Sequence, residues 1–230
     1  MVFKGNAGTG KTTVARIIGN IYHSLGALSK GQLVECNRSN LVAGYVGQTA
    51  ARTREKVEEA LGGVLFIDEA YSLAQGGEND FGRETINELV AQVENHRNDL
   101  CVIIAGYSKD MDEFLATNQG LSSRFTNEIV FEDYTPAEML EILKKTAAAD
   151  GNCFEDGIDG LLTELLAQKS AAADFGNARG VRNVAGALKS KKDMRAIEYL
   201  DSHQITDMAE TERLLTTITA EDVMALMNER

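Results

Sequence analysis

Short apolar runs alternate with helix-period segments as far as about residue 131, and beyond that point strand-like runs stop. The stretches "QLVEC", "GVLFI", "LCVIIA" and "EIVF" read as strands, and the near-continuous apolar character of the middle two predicts burial on both faces, as in a parallel sheet. Between them Ile86, Leu89, Val90 and Val93 recur at the spacing of one helical face. The pattern predicts a three-layer α/β domain. A new section opens at "DYTPAEML", where the only proline, Pro136, follows Thr135, and Glu138 stands three residues after that threonine. Thr135 is a good N-cap, Pro136 a good first helical residue, and Glu138 completes a capping box. From there the chain reads as wholly helical: Leu161/Leu165 and Leu162/Leu166 repeat at four residues, and a long helical run leads from Ala178 toward Tyr199. The expected organisation is an α/β core over residues 1–133 and a small helical domain over 134–230.

Composition narrows the function classes. With 230 residues, 43% of them hydrophobic and 25% charged, the chain is long enough for one large globular domain or a large one and a small one. The net charge of −12, with no Lys/Arg-rich run, argues against sequence-independent binding to nucleic-acid phosphates. The apolar runs are too short to span a bilayer and the N-terminus lacks the sections of a signal peptide, so the expectation is a soluble cytoplasmic protein with no membrane or nucleic-acid partner. Cys36, Cys101 and Cys153 include no C-x-x-C pair, and His23, His96 and His203 show no metal-ligand spacing. These read as reduced cysteines and surface or helix-end histidines.

The strongest chemical signal is "VFKGNAGTGKTTVARII". Gly5, Gly10, Lys11 and Thr12 satisfy G-x-x-x-x-G-K-[ST], between the end of a strand and a helical pattern, which is the context this phosphate-binding motif requires. Gly8 and Gly10 let backbone N–H groups curl around phosphate oxygens, and the following helix aims its positive end at them. The expected contact stretch is Gly5, Asn6, Ala7, Gly8, Thr9, Gly10, Lys11, Thr12 and Thr13, with Lys11 reaching the β- and γ-phosphates and Thr12 on Mg²⁺. A carboxylate must answer from a neighbouring strand end, and "VLFIDEA" supplies one. Asp68 fits the metal side, and Glu69 is placed to polarise a water for in-line attack on the γ-phosphate. Read alone, this acidic pair would equally suit the start of a helix.

These residues resemble the AAA+ ATPases, whose cofactors are ATP and Mg²⁺. "GGVLFIDEAYSL", "VIIAGYSKDMDEF" and "GLSSRF" are similar to the branch containing stage V sporulation protein K and the red-type Rubisco activases, and also to type VII secretion ATPases. The resemblance covers essentially the whole chain and implies a ring, normally a hexamer, acting on a protein substrate. It implies that Tyr45, Val46 and Gly47 form the aromatic–hydrophobic–Gly triplet that grips polypeptide in a central pore; packing of Tyr45 on its own domain is the alternative. It implies that Arg124 is an arginine finger reaching the γ-phosphate of a neighbouring subunit, with Ser122 where relatives carry a second arginine. Arg179 matches the sensor-2 position, with Arg182 in reserve; a surface arginine capping a helix is the alternative for either. At sensor 1, where many members have Asn or Thr, this chain has Gly106 and Tyr107. The family's helical segment before the phosphate loop is absent, so the expectation is a piece of a longer protein. The functional expectation is ATP hydrolysis coupled to protein remodelling; a nucleotide-dependent switch or loader that binds partners without threading them is the alternative, and a catalytically silent assembly module a third reading.

Overall fold

The computed structural model describes residues 1–43, 48–75, 81–172, 174–203 and 207–229. The chain divides into two compact units, one of Met1–Asn6 with Gly10–Glu132 and one of Ala7–Thr9 with Asp133–Arg230.

The first unit is built on a five-stranded sheet of β1 (Val2–Gly5), β2 (Leu33–Cys36), β3 (Val64–Ile67), β4 (Cys101–Gly106) and β5 (Glu128–Phe131), in the order β2-β3-β4-β1-β5. Every pairing is parallel, with Val64 opposite Cys101, Val2 opposite Ile104 and Val2 opposite Glu128 fixing the register. Side chains alternate across a strand, and in β1, β3 and β4 both sets are buried, apart from half-buried Cys101. Val2, Val34, Leu65, Ile67, Val102 and Ile104 enter one core, and Phe3, Val64, Phe66, Ile103 and Ala105 the other. This two-sided burial is why β3 and β4 read as unbroken apolar runs.

The first core is closed by α2 (Arg38–Leu41), α3 (Thr49–Ala60), a 3-10 turn (Ala70–Ala74), α4 (Gly82–Asn95), α5 (Ser108–Ala116) and α6 (Gln119–Arg124), which contribute Leu41, Val57, Leu73, Ile86, Leu89, Met111, Phe114 and Leu121. The second is closed by α1 (Lys11–Ser24) through Ala15, with Val14, Ile18 and Tyr22 half-buried. The helical stripe expected around Ile86 is α4, with Val90 and Val93 packed at its margin. A chain that leaves β1 for β2 on one side, and later passes from β4 over β1 to β5 on the other, makes the C-terminal end of β1 a point where strand order reverses. Open α/β sheets bind ligands in the crevice at such points.

The second unit holds α7 (Pro136–Ala149), α8 (Asp159–Ser170), α9 (Ala178–Ser202), α10 (Met208–Thr216) and α11 (Ala220–Met227). Thr135 caps α7: its hydroxyl accepts the Glu138 N–H at 3.3 Å, and the Glu138 carboxylate accepts the Thr135 N–H at 2.8 Å. Leu143, Leu162, Leu165, Leu166, Val181, Leu188 and Val223 form its core. Its buried polar groups include Lys192, whose amine meets Asn152 Oδ1 at 2.7 Å, and Asp222, which accepts Arg195 Nε at 2.9 Å. One feature departs from a wholly helical section. Strands β6 (Cys153–Phe154) and β7 (Thr217–Ile218) pair in parallel. Two residues per strand leave no alternation to read, and the partners lie 64 residues apart.

Candidate nucleotide-binding site

The loop between β1 and α1 owes its path to glycine. Gly8 has φ 75° and Gly10 φ 94°, left-handed values that glycine adopts without penalty. Gly5 ends β1 so close to β5 that a Cβ there would stand 2.4 Å from the Phe131 carbonyl oxygen. Gly10 is the N-cap of α1, and the first turn of that helix carries no acidic residue to compete for its N–H groups. Lys11 lies half-buried, its amine donating to the carbonyls of Gly5 and Asn6 at 2.8 Å each. Burial holds its pKa below the ordinary lysine value, against the opposing pull of Asp68 and then Glu69. Thr12 is half-buried and Thr13 exposed on the first turn of α1; Asn6 is exposed, and Thr9 buried.

The two acids follow β3 directly. The Asp68 N–H donates to the Cys36 carbonyl at 2.9 Å, continuing the β2–β3 ladder one residue past the strand. Asp68 Oδ1 accepts the Glu69 N–H at 3.0 Å, and both carboxylates are exposed. Glu69 has φ 48° and ψ 44°, a left-handed conformation that non-glycine residues seldom hold. Strain of this kind is kept only where the surroundings over-determine it, and it collects at functional positions. Glu69 also borders a cleft of about 500 Å³ lined by Asn37, Arg38, Ser39 and Ser72 among others. The donor set suits Mg²⁺, a hard cation satisfied by a hydroxyl, one or two carboxylates, phosphate oxygens and water. Thr12 and Asp68 are the residues that would hold it. No group of three or more His, Cys, Asp or Glu among the described residues forms a metal cage.

Lys11, Asp68 and Glu69 are thus brought into one electrostatic neighbourhood. The expected arginines lie on other helices. Arg124 ends α6, where its Nε is 3.8 Å from Glu94 Oε2. Arg179 and Arg182 are exposed in the first two turns of α9, with no ion pair among the described residues. Tyr45, Val46 and Gly47 lie outside the described residues. The histidines sit at helix ends: His23 in the last turn of α1, His96 and His203 as the C-caps of α4 and α9. Among the free cysteines Cys36 is buried, and burial pushes its thiol up to about 12.

Three residues escaped the motif reading: Tyr71, Glu94 and Asn177. Tyr71, two residues past Glu69, packs against the end of β4, and a Cβ on Gly106 would lie 2.7 and 2.8 Å from its ring carbons. This contact explains why the position before Tyr107 carries no side chain. Burial, then Glu69, Asp110, Tyr107 and Asp68, push the Tyr71 phenol up to about 12, so it stays protonated as a donor. Tyr107 is 40% exposed and lies 6.3 Å from Tyr71, ring centroid to centroid. Glu94 is the ion-pair partner of Arg124. Asn177 precedes α9 with an unusual backbone conformation (φ 53°, ψ −126°). No spacing rule marks any of them.

Comparison with known proteins decides the family. The family of ATPases associated with various cellular activities (AAA) matches residues 1–133, and the AAA lid domain matches residues 135–230. The chain belongs to the AAA ATPase family. Stage V sporulation protein K of Bacillus subtilis is 44% identical over 212 residues, covering 90% of this chain and 66% of that protein. The plasmid protein CbxX of Cupriavidus necator is 42% identical over 226 residues, covering 98% of this chain and 69% of that protein. ESX-1 secretion system protein EccA1 of Mycobacterium tuberculosis is 44% identical over 212 residues, covering 87% of this chain and 37% of that protein. The chain therefore spans between 37% and 69% of the length of these three AAA relatives. A crystal structure of the FIGL-1 AAA domain in complex with ADP has the same fold, with a TM-score of 0.61 at 19% identity, covering 97% of this chain and 69% of that one. Among the described residues no helix is long and apolar enough to cross a membrane.

Proposed function

We propose that this AAA module hydrolyses ATP with Mg²⁺ and, as a ring of like subunits with six as the expected number, uses that cycle to remodel a protein substrate. The observation that carries the reading is the strand–loop–helix at residues 2–24, where left-handed Gly8 and Gly10 open a loop at an acid-free helix N-terminus beside Lys11, with Asp68 and Glu69 acting on the same amine.

Each residue has a distinct task. The loop N–H groups and the start of α1 bind the phosphates. The Lys11 amine, now hydrogen-bonded to the Gly5 and Asn6 carbonyls, exchanges those acceptors for β- and γ-phosphate oxygens. Thr12 and Asp68 would hold a Mg²⁺, whose charge would offset that of the phosphates. The Glu69 carboxylate orients the attacking water and takes its proton. Arg124 leaves Glu94 to reach the γ-phosphate held by the adjoining subunit, where a fixed positive charge stabilises the transition state. Arg179 answers the nucleotide as sensor 2. Tyr45, Val46 and Gly47 grip the substrate chain.

The test is ATPase activity of the purified protein with and without Mg²⁺, in the presence of an unfolded protein or of DNA. Mg²⁺-dependent hydrolysis raised by protein and unmoved by DNA supports remodelling. Stimulation by DNA alone points to the loader reading, and hydrolysis indifferent to Lys11→Ala overturns the site.

A further inference from the structure

Asn177 is one of two non-glycine residues with positive φ among the described residues, and it is 5% exposed. Glycine would hold this backbone without strain, so the asparagine side chain must return something for its cost. Its amide is fully engaged. Oδ1 accepts the Tyr134 N–H at 3.0 Å, and Nδ2 donates to Asp133 Oδ1 at 2.8 Å and to the Ala7 carbonyl at 3.3 Å. The next residue, Ala178, donates its N–H to the Gly8 carbonyl at 3.2 Å, and the Tyr134 hydroxyl donates to the Thr9 carbonyl at 3.1 Å. All of these residues belong to the second compact unit.

Three consecutive carbonyls, those of Ala7, Gly8 and Thr9, are therefore held by one small cluster. A peptide group is planar and trans, so its C=O and the N–H that follows point in opposite directions. Holding the three carbonyls on one side turns the N–H groups of Gly8, Thr9 and Gly10 to the other, which is the arrangement a phosphate needs. We propose that Asn177 is a positioning residue for the phosphate loop: its buried amide, with the Tyr134 hydroxyl and the Ala178 N–H, fixes the Ala7–Thr9 carbonyls so that the loop presents its N–H groups to a nucleotide phosphate. The inference rests on the nucleotide-site reading above. It also explains the side chain. Aspartate has the same shape and no donors, and glycine keeps the backbone but loses the amide.

The experiment measures binding of a non-hydrolysable ATP analogue with Mg²⁺, alongside thermal unfolding, for the full chain and for Asn177→Gly, Asn177→Asp, Tyr134→Phe and Leu188→Ala. Leu188 lies in the second unit's core, away from the loop, and its truncation serves as the purely structural control. Asn177→Gly is expected to bind roughly 10-fold more weakly with a melting temperature within about 3 °C of the parent, and Tyr134→Phe roughly 3-fold more weakly. In Asn177→Asp the new carboxylate faces two acceptors, Asp133 and the Ala7 carbonyl; affinity lost at about pH 8 should return in part at about pH 5.5, where protonation restores a donor. Leu188→Ala should melt lower yet bind as the parent does in the cold. Asn177→Gly binding as tightly as the parent overturns the proposal, as does an affinity loss that tracks melting temperature along the same line as Leu188→Ala. Absence of analogue binding by the parent would instead overturn the nucleotide-site reading itself.

Discussion

Gly106 offers a test of how the end of β4 is built. An added Cβ would lie 2.7 Å from Tyr71 Cδ1, 2.8 Å from Cε1 and 3.0 Å from Met111 Sδ, whereas relaxed carbon contacts stand at about 3.5–4.0 Å. The overlap with the ring is close to 1 Å, and Met111, fully buried, has little room to retreat. Overpacking of this kind costs about 1–3 kcal/mol. The Tyr71 ring is only partly buried and can swing, so Gly106→Ala should fall in the lower half of that range, about 1–2 kcal/mol, and lower the melting temperature by roughly 2–8 °C. The decisive form is a double-mutant cycle with Tyr71→Ala. Once the ring is gone the new methyl has space, so Gly106→Ala should cost about 1 kcal/mol less in that background than in the parent. Denaturant titration of the four proteins measures this. Additivity within about 0.3 kcal/mol would refute the claim that Tyr71 excludes a side chain at position 106.

Three further outcomes are expected. Neither Arg124→Ala nor Glu69→Gln should turn over alone, but mixed rings should recover ATPase, because some interfaces then join an intact arginine to an intact glutamate; no recovery at any ratio, with assembly confirmed by light scattering, counts against action between subunits. The Glu138 carboxyl sits below the ordinary value of 4.5 because the Thr135 backbone N–H and then its hydroxyl donate to it, so its contribution is present above that value and lost as pH falls through the lower folded one. A melting-temperature scan in acid should therefore show less acid-induced loss in Glu138→Gln than in the parent. Tyr45→Ala should keep basal ATPase and the melting temperature while losing stimulation by protein substrate, with Tyr45→Phe retaining it; a protein destabilised by about 3–5 kcal/mol would show instead that the ring packs on its own domain.

How much of this was legible in the sequence depends on the range over which each feature is set. The parallel sheet was readable because two-sided burial writes itself as unbroken apolar runs, as in Val64–Ile67 and Cys101–Gly106. The cap of α7 was readable because Thr135, Pro136 and Glu138 interact within one turn. The phosphate loop was readable as glycines at fixed offsets. The conformation of Glu69 was not, because no local rule places glutamate in a left-handed region; the surroundings impose it. Tyr71 against Gly106 joins the ends of two strands, and Asn177 meets Ala7 across 170 residues. Such pairings carry no periodicity. The β6–β7 ladder was hidden for the same reason, with strands too short to show alternation.

In the proposed division of work Lys11 binds nucleotide and Glu69 drives its hydrolysis. Calorimetric titration of ATP with Mg²⁺ into Lys11→Ala and Glu69→Gln, each paired with a turnover assay, tests it most directly. Lys11→Ala should weaken binding by roughly 10-fold or more, whereas Glu69→Gln should bind as the parent does and hydrolyse at least about 100-fold more slowly. Equal loss of ATP affinity in the two variants, or near-parent turnover in Glu69→Gln, would contradict it.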